Sequence, residues 1–167
     1  MQGMQPKRGS ELKVREKPSK RNTNSVKVYF DLPPDENGYP PAKSEFLWCI
    51  PTKRGTYLID NIPFFVRDIS MGDEISADRV DRMLHFKKLI KKSKNSTVRV
   101  LLKEPKRTSV LRKQLSAYGC GSELMDELSL LTISMPPDAE IAKALAFLDE
   151  EAERNTIGIE ESSVRYQ

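Results

Sequence analysis

Between Thr97 and Tyr166 the spacing of apolar residues alternates between the strand period and the helix period, and this alternation restricts the fold more than any other feature of the chain. Val98, Val100 and Leu102 recur at every second position within Thr97–Lys103, the pattern of a strand. Pro105 then stands where a first helical turn accepts it, and Val110, Leu111, Leu115 and Tyr118 fall at helical spacing. Gly119 and Gly121 are expected to end that helix. Ser122–Met125 reads as a short strand. Leu128–Met135 reads as a clearer one, with Leu131, Ile133 and Met135 in register. Pro136-Pro137-Asp138 opens a second helix carrying Ile141, Ala144, Leu145, Leu148 and Ala152 on one face. Ile157–Tyr166 is a last, partly polar strand. The order βαββαβ is that of a ferredoxin-like unit, expected over residues 95–167.

The preceding stretch, 26–94, keeps the strand period throughout. Val26, Val28, Phe30 and Leu32 alternate with Lys27, Tyr29 and Asp31. PPDENGYPPAK (33–43) is a loop. Phe46, Trp48 and Ile50 then face one way and Glu45, Leu47 and Cys49 the other. Pro51-Thr-Lys-Arg-Gly55 is a turn in which Gly55 supplies a positive φ, and Thr56–Asp60 returns as a strand. Asn61-Ile-Pro-Phe-Phe-Val66 is an apolar knot, and Met71–Glu74 is a tight turn into Ile75–Val80, followed by Leu84–Ile90. About five short strands with glycine turns predict a small, bent sheet or barrel. The fold class is therefore α+β: a small bent sheet or barrel, then the ferredoxin-like unit. Units this small are marginal alone, so the two are expected to pack on each other.

Residues 1–25 hold seven basic residues against two acids and little that can be buried, so they read as a disordered basic tail. At +5 this tail exceeds the +4 of the whole chain, and the remainder is near neutral. No apolar run reaches the ~18 residues of a membrane span, and no apolar segment follows the basic N-terminus as in a secretory signal. Cys49 and Cys120, far apart, suit a reducing compartment, so a cytoplasmic location is expected. Closely spaced Cys/His pairs for zinc and phosphate-binding glycine loops are absent from the sequence. No cofactor or metal is expected.

Glu45-x-x-Trp48, Tyr57, Asn61-Ile-Pro-Phe-Phe65, Gly72-Asp73 and Ser93-x-x-Ser96-Thr97-x-Arg99 occur in that order. This pattern resembles a family of small uncharacterised bacterial proteins known as a domain of unknown function. The resemblance runs from about Val26 to Tyr166 and implies a soluble bacterial domain, without an activity or catalytic residue. The glycine expected after Ser93 is Lys94 here.

Candidate chemistry is sparse. His85 lies between Leu84 and Phe86 with no acid and nucleophile set in view, and reads as structural or surface. Cys120 follows a helix C-terminus, whose field raises rather than lowers a thiol pKa. Cys49 reads as a small buried hydrophobe. Asp73-Glu74 offers one acidic pair, short of the roughly six oxygens a hard cation takes. Trp48, Tyr57, Phe64 and Phe65 concentrate the aromatic side chains. They read first as core, and Trp48, Phe64 and Phe65 as a candidate groove. Consecutive Phe residues on one strand point apart, so one is expected to face the other half or a partner.

The strongest electrostatic feature is a run of twelve Lys and Arg between Arg82 and Lys113, opposed by Glu104 alone. Eight acids between Asp138 and Glu161 face only Lys143 and Arg154. A basic flank and an acidic flank are expected, with Lys87, Lys88, Lys91, Lys92 and Lys94 meeting an acidic partner. Ser96, Thr97 and Arg99 would complete an anion-binding turn. The expected function is that of a non-enzymatic binding protein, immunity-type or regulatory, with a protein partner. The alternative is a nucleic acid or phosphate ligand held by the 82–113 block.

Overall fold

The alternating runs of the first half close into a barrel, and those of the second half lie beside it as an open sheet. The computed structural model describes residues 24–166. The tail reading of 1–25 lies, but for Asn24 and Ser25, outside the described residues. The barrel strands are β1 (Val26–Asp31), β2 (Ser44–Pro51), β3 (Tyr57–Ile59), β4 (Glu74–Val80) and β5 (Met83–Lys91). Successive strands pair antiparallel, and β1 closes on β5 in parallel, with Val28 opposite Leu84 and Tyr29 opposite His85. Register shifts between β4 and β5 supply the bending that closure needs. The strand period then sorts the side chains. Val28, Phe30, Leu47, Cys49, Ile75 and Leu84 point inward and are buried. Gly55 has φ +76°, as its turn requires.

The second unit runs β6 (Ser96–Leu102), α1 (Thr108–Ala117), β7 (Gly121–Met125), β8 (Leu130–Met135), α2 (Ile141–Glu153) and β9 (Ile157–Ser163). Its sheet has the order β7-β8-β6-β9, and all neighbours are antiparallel. Val98, Val100, Leu131 and Ile133 pack with Leu111 and Leu115 of α1 and Ala144 and Leu148 of α2. Burying each large aliphatic side chain contributes ~1.5–3 kcal/mol. The opposite face of the sheet meets the barrel: Met125 and Leu130 belong to the barrel's core cluster.

Three local expectations change. Gly119 follows α1, but Gly121 is the first residue of β7, opposite Ser134. Helix α2 starts at Ile141, because Ala139 N–H donates to the Pro136 carbonyl at 3.0 Å and closes a turn first. Residues 61–66 are not a strand, so the rule that separates consecutive side chains does not apply, and Phe64 and Phe65 are both buried.

The two charge runs touch where Arg107 reaches α2. Arg107, from the basic run, donates from Nε (2.9 Å) and Nη2 (2.5 Å) to the buried carboxylate of Glu151 on α2. The Thr156 hydroxyl adds a bond at 2.7 Å. The Arg107 fork holds the Glu151 carboxyl below its ordinary 4.5. A depressed folded pKa gives stability that is present above the ordinary value and lost as pH falls through the folded one. Glu151→Gln is therefore expected to flatten the acid limb of a plot of urea midpoint against pH.

Candidate functional site

The residues of the sequence pattern gather where the barrel meets the sheet. The segment joining β3 to β4 carries backbone N–H groups into an apolar interior, where an unmet donor costs ~1–3 kcal/mol. Glu45, the one acid on the inner face of β2, supplies the acceptors. Its carboxylate takes the N–H groups of Phe64 (2.7 Å), Phe65 (2.9 Å) and Val66 (2.9 Å). Burial raises the Glu45 carboxyl above its ordinary range against the pull of these donors and of Arg99. Asn61 Oδ1 accepts the backbone N–H of Trp48 at 2.9 Å, and Thr132 of β8 donates to the Pro63 carbonyl at 2.9 Å.

A second fastening lies at the far end of the same segment. Arg165 grips buried Asp73 through both terminal nitrogens, with Nη2 to Oδ2 at 2.8 Å. Asp73 also accepts the N–H groups of Ser70 (3.0 Å) and Ser93 (2.8 Å), so its oxygens serve this clasp. The Ser70 and Thr97 hydroxyls bond at 2.7 Å. Gly72 sits at φ +85° with a built Cβ only 3.2 Å from Ser93 Cβ, so conformation and space both select glycine there. Ser96 Oγ accepts the backbone N–H of Arg165 at 2.7 Å.

Arg99 points the same way as Thr97, toward the barrel, and its side chain is 1% exposed. Nη2 donates to the Val66 carbonyl at 2.6 Å, and Nη1 stands 3.7 Å from Glu160 Oε1. Nε and Nη1 have no hydrogen-bond partner. Burial lowers the Arg99 pKa, and Glu160 is the strongest opposing influence. Arg99 lines a cavity of about 550 Å³ with Tyr39, Phe65, Leu101, Ile159 and Glu160 among its walls. Of the candidate groove residues, only Phe65 is in this lining; Phe64 is core and Trp48 lies elsewhere.

Trp48 belongs to the outer face of the barrel, half-buried, rather than to its core. There it lies opposite Lys27, and Phe46 lies opposite Tyr29, which in turn pairs with His85. The Tyr29 ring is 5.8 Å from Phe46 and 5.9 Å from His85, and Lys27 Nζ is 4.2 Å from the Phe46 centroid. The row continues along β5 and β4 to Met83 and Val80, which are 41% and 49% exposed. His85 is thus a half-buried member of the aromatic row on the outer face of the barrel.

The basic residues divide. Lys87, Lys88, Lys91, Lys92 and Lys94 are exposed on β5 and the turn after it. Lys87 pairs with Asp78, and among the described residues no acid pairs with the other four. Ser96, Thr97 and Arg99 are buried and turned inward, so the structure does not bring them together with the lysines as one anion-binding turn. The sequence held a signal for this. Thr97 and Arg99 occupy the phase opposite Val98 and Val100, and a middle strand covered on both faces along this stretch buries both phases. Burial pushes the Cys49 thiol up to about 12 and raises Cys120, which keeps both protonated at neutral pH. Among the described residues no cluster of His, Cys, Asp and Glu is placed to hold a metal, and no helix is long and apolar enough to cross a membrane.

No curated protein matches the sequence. A solved structure described as a "Novel crystal structure of a hypothetical protein from Neisseria gonorrhoeae" is similar at 21% identity with a TM-score of 0.70. The match covers 89% of this chain and 100% of that one, and it shows a shared fold. The family model described as a domain of unknown function, DUF4265, matches residues 45–159, from the carboxylate that holds the inter-unit segment to the last strand. The chain therefore belongs to the DUF4265 family.

Proposed function

We propose that this is a non-enzymatic binding protein that docks an acidic protein partner on the outer face of its barrel. The supporting observation is the row of Trp48, Phe46, Tyr29 and His85, extended by exposed Val80 and Met83 and bordered by lysines. Aromatic and apolar anchors inside a charged rim are what a protein interface uses: the anchors supply affinity, and the charges supply rate and selectivity. An immunity-type or regulatory role is the form such binding takes here. Protonated, buried thiols suit a cytoplasmic location. The strand order β7-β8-β6-β9 supports reading 95–167 as a ferredoxin-like unit.

A second reading is favoured by one observation. Lys88 and Lys91 stand opposite Ser76 and Glu74 of β4, the strand whose next outward residue, Asp78, faces His85 in the aromatic row. Rings and cations on one sheet face are the elements of a single-stranded nucleic-acid surface. One experiment separates the readings. A photo-cross-linking residue is placed at Met83, and at exposed Val110 of α1 as control, in the native bacterium. The expected product is one acidic protein captured at Met83 only, with capture reduced ~10-fold by Phe46→Ala and weakened by salt. Nucleic acid captured at Met83 instead selects the second reading. Equal products at Met83 and Val110 would refute both.

A further inference from the structure

The cavity beside Arg99 contains a charge with too few partners. A guanidinium offers five N–H donors. Here one nitrogen serves Val66, while Nε and Nη1 serve none, in a side chain that is 1% exposed. A buried cation left in this state is costly unless an anion reaches it. Glu160 does not meet that need: it stands 3.7 Å from Nη1, is 43% exposed, and is equally 3.7 Å from Arg67 at the surface. Glu45 is committed to three backbone donors. Beyond Arg99, Asn37, Tyr39 and Glu160 the lining is apolar, and two of its walls, Leu101 and Ile159, are large side chains left 51% and 39% exposed.

We infer that this cavity binds a small molecule with a single carboxylate on an apolar body. The carboxylate takes the unpaired Arg99 donors, which are buried in the unliganded protein and are uncovered as Glu160 swings away, and the planar fork of the guanidinium is the matching shape. The apolar body covers Leu101, Ile159 and Phe65. A volume of about 550 Å³ falls in the range of small-molecule sites. The charge class follows from the neighbours: with Glu45 and Glu160 close by, a monoanion meets less repulsion than a phosphate dianion. Glu160 can leave Nη1 for Arg67 as the ligand enters. The inference does not depend on the barrel's outer face, which shares no named residue with the cavity.

The test must spare Arg99, which also fastens Val66. Gly158 lines the cavity, and a Cβ built there meets only Leu101 Cβ, at 3.9 Å, an ordinary contact. Gly158→Leu therefore adds bulk to the cavity wall from a position whose Cβ meets no clash. Octanoate and 3-phenylpropionate are titrated calorimetrically against their neutral amides and phenyl phosphate. The carboxylates are expected to bind at least ~10-fold more tightly than the amides and more tightly than phenyl phosphate. Gly158→Leu is expected to abolish binding while its own melting curve stays cooperative. Equal binding of acid and amide, tighter binding of the phosphate, unchanged binding by Gly158→Leu, or no binding of either acid at millimolar concentration would each overturn the inference.

Discussion

Replacing Glu45 by Ala is expected to remove ~3–5 kcal/mol of stability, the scale on which an uncompensated buried polar cluster is lost. Three buried backbone donors, at Phe64, Phe65 and Val66, lose their acceptors at once. Glu45→Gln keeps the shape but offers one acceptor oxygen and turns an amide N–H₂ toward donors. It is therefore expected to recover less than half of the loss. Urea unfolding of the three proteins checks this. A Gln variant as stable as the wild type would show that the carboxylate is not what holds the segment.

The second large effect belongs to Asp73 and Arg165. Truncating either leaves the other charge buried, and Asp73→Ala and Arg165→Ala are each expected to cost ~3–5 kcal/mol. The double variant is expected to cost much less than the sum, because the coupling is counted once. Replacing Asp73 also strands the N–H groups of Ser70 and Ser93, so it is expected to be the worse of the two. Additive losses in a double-mutant cycle would contradict the pairing.

The sequence made the strands legible because their apolar residues recur at every second position. Val26 to Leu32 and Leu131 to Met135 could be placed from spacing alone. The partition into barrel and open sheet was also legible, since it depends on where helical spacing interrupts the strand period. Contacts between distant residues were not. Arg165 is separated from Asp73 by most of the second unit, and no local pattern joins them. Glu45 and the Phe64–Val66 backbone were both visible, but backbone donors leave no trace in side-chain patterning. Arg99 was misplaced for a different reason. Its basic neighbours in sequence suggested a solvated turn, whereas its neighbours in space are Val66, Tyr39 and Glu160. Phe64 and Phe65 were read with strand geometry, which the proline-bearing segment does not adopt.

In this account the sequence pattern from Glu45 to Arg99 is a joint that makes one cooperative body of barrel and sheet. Trp48, the only tryptophan in the chain, reports on the barrel, and helical ellipticity reports on α1 and α2. Equilibrium unfolding followed by both signals in urea is the direct test. Coincident transitions in the wild type that separate in Asp73→Ala are predicted; two distinct transitions in the wild type would contradict the joint.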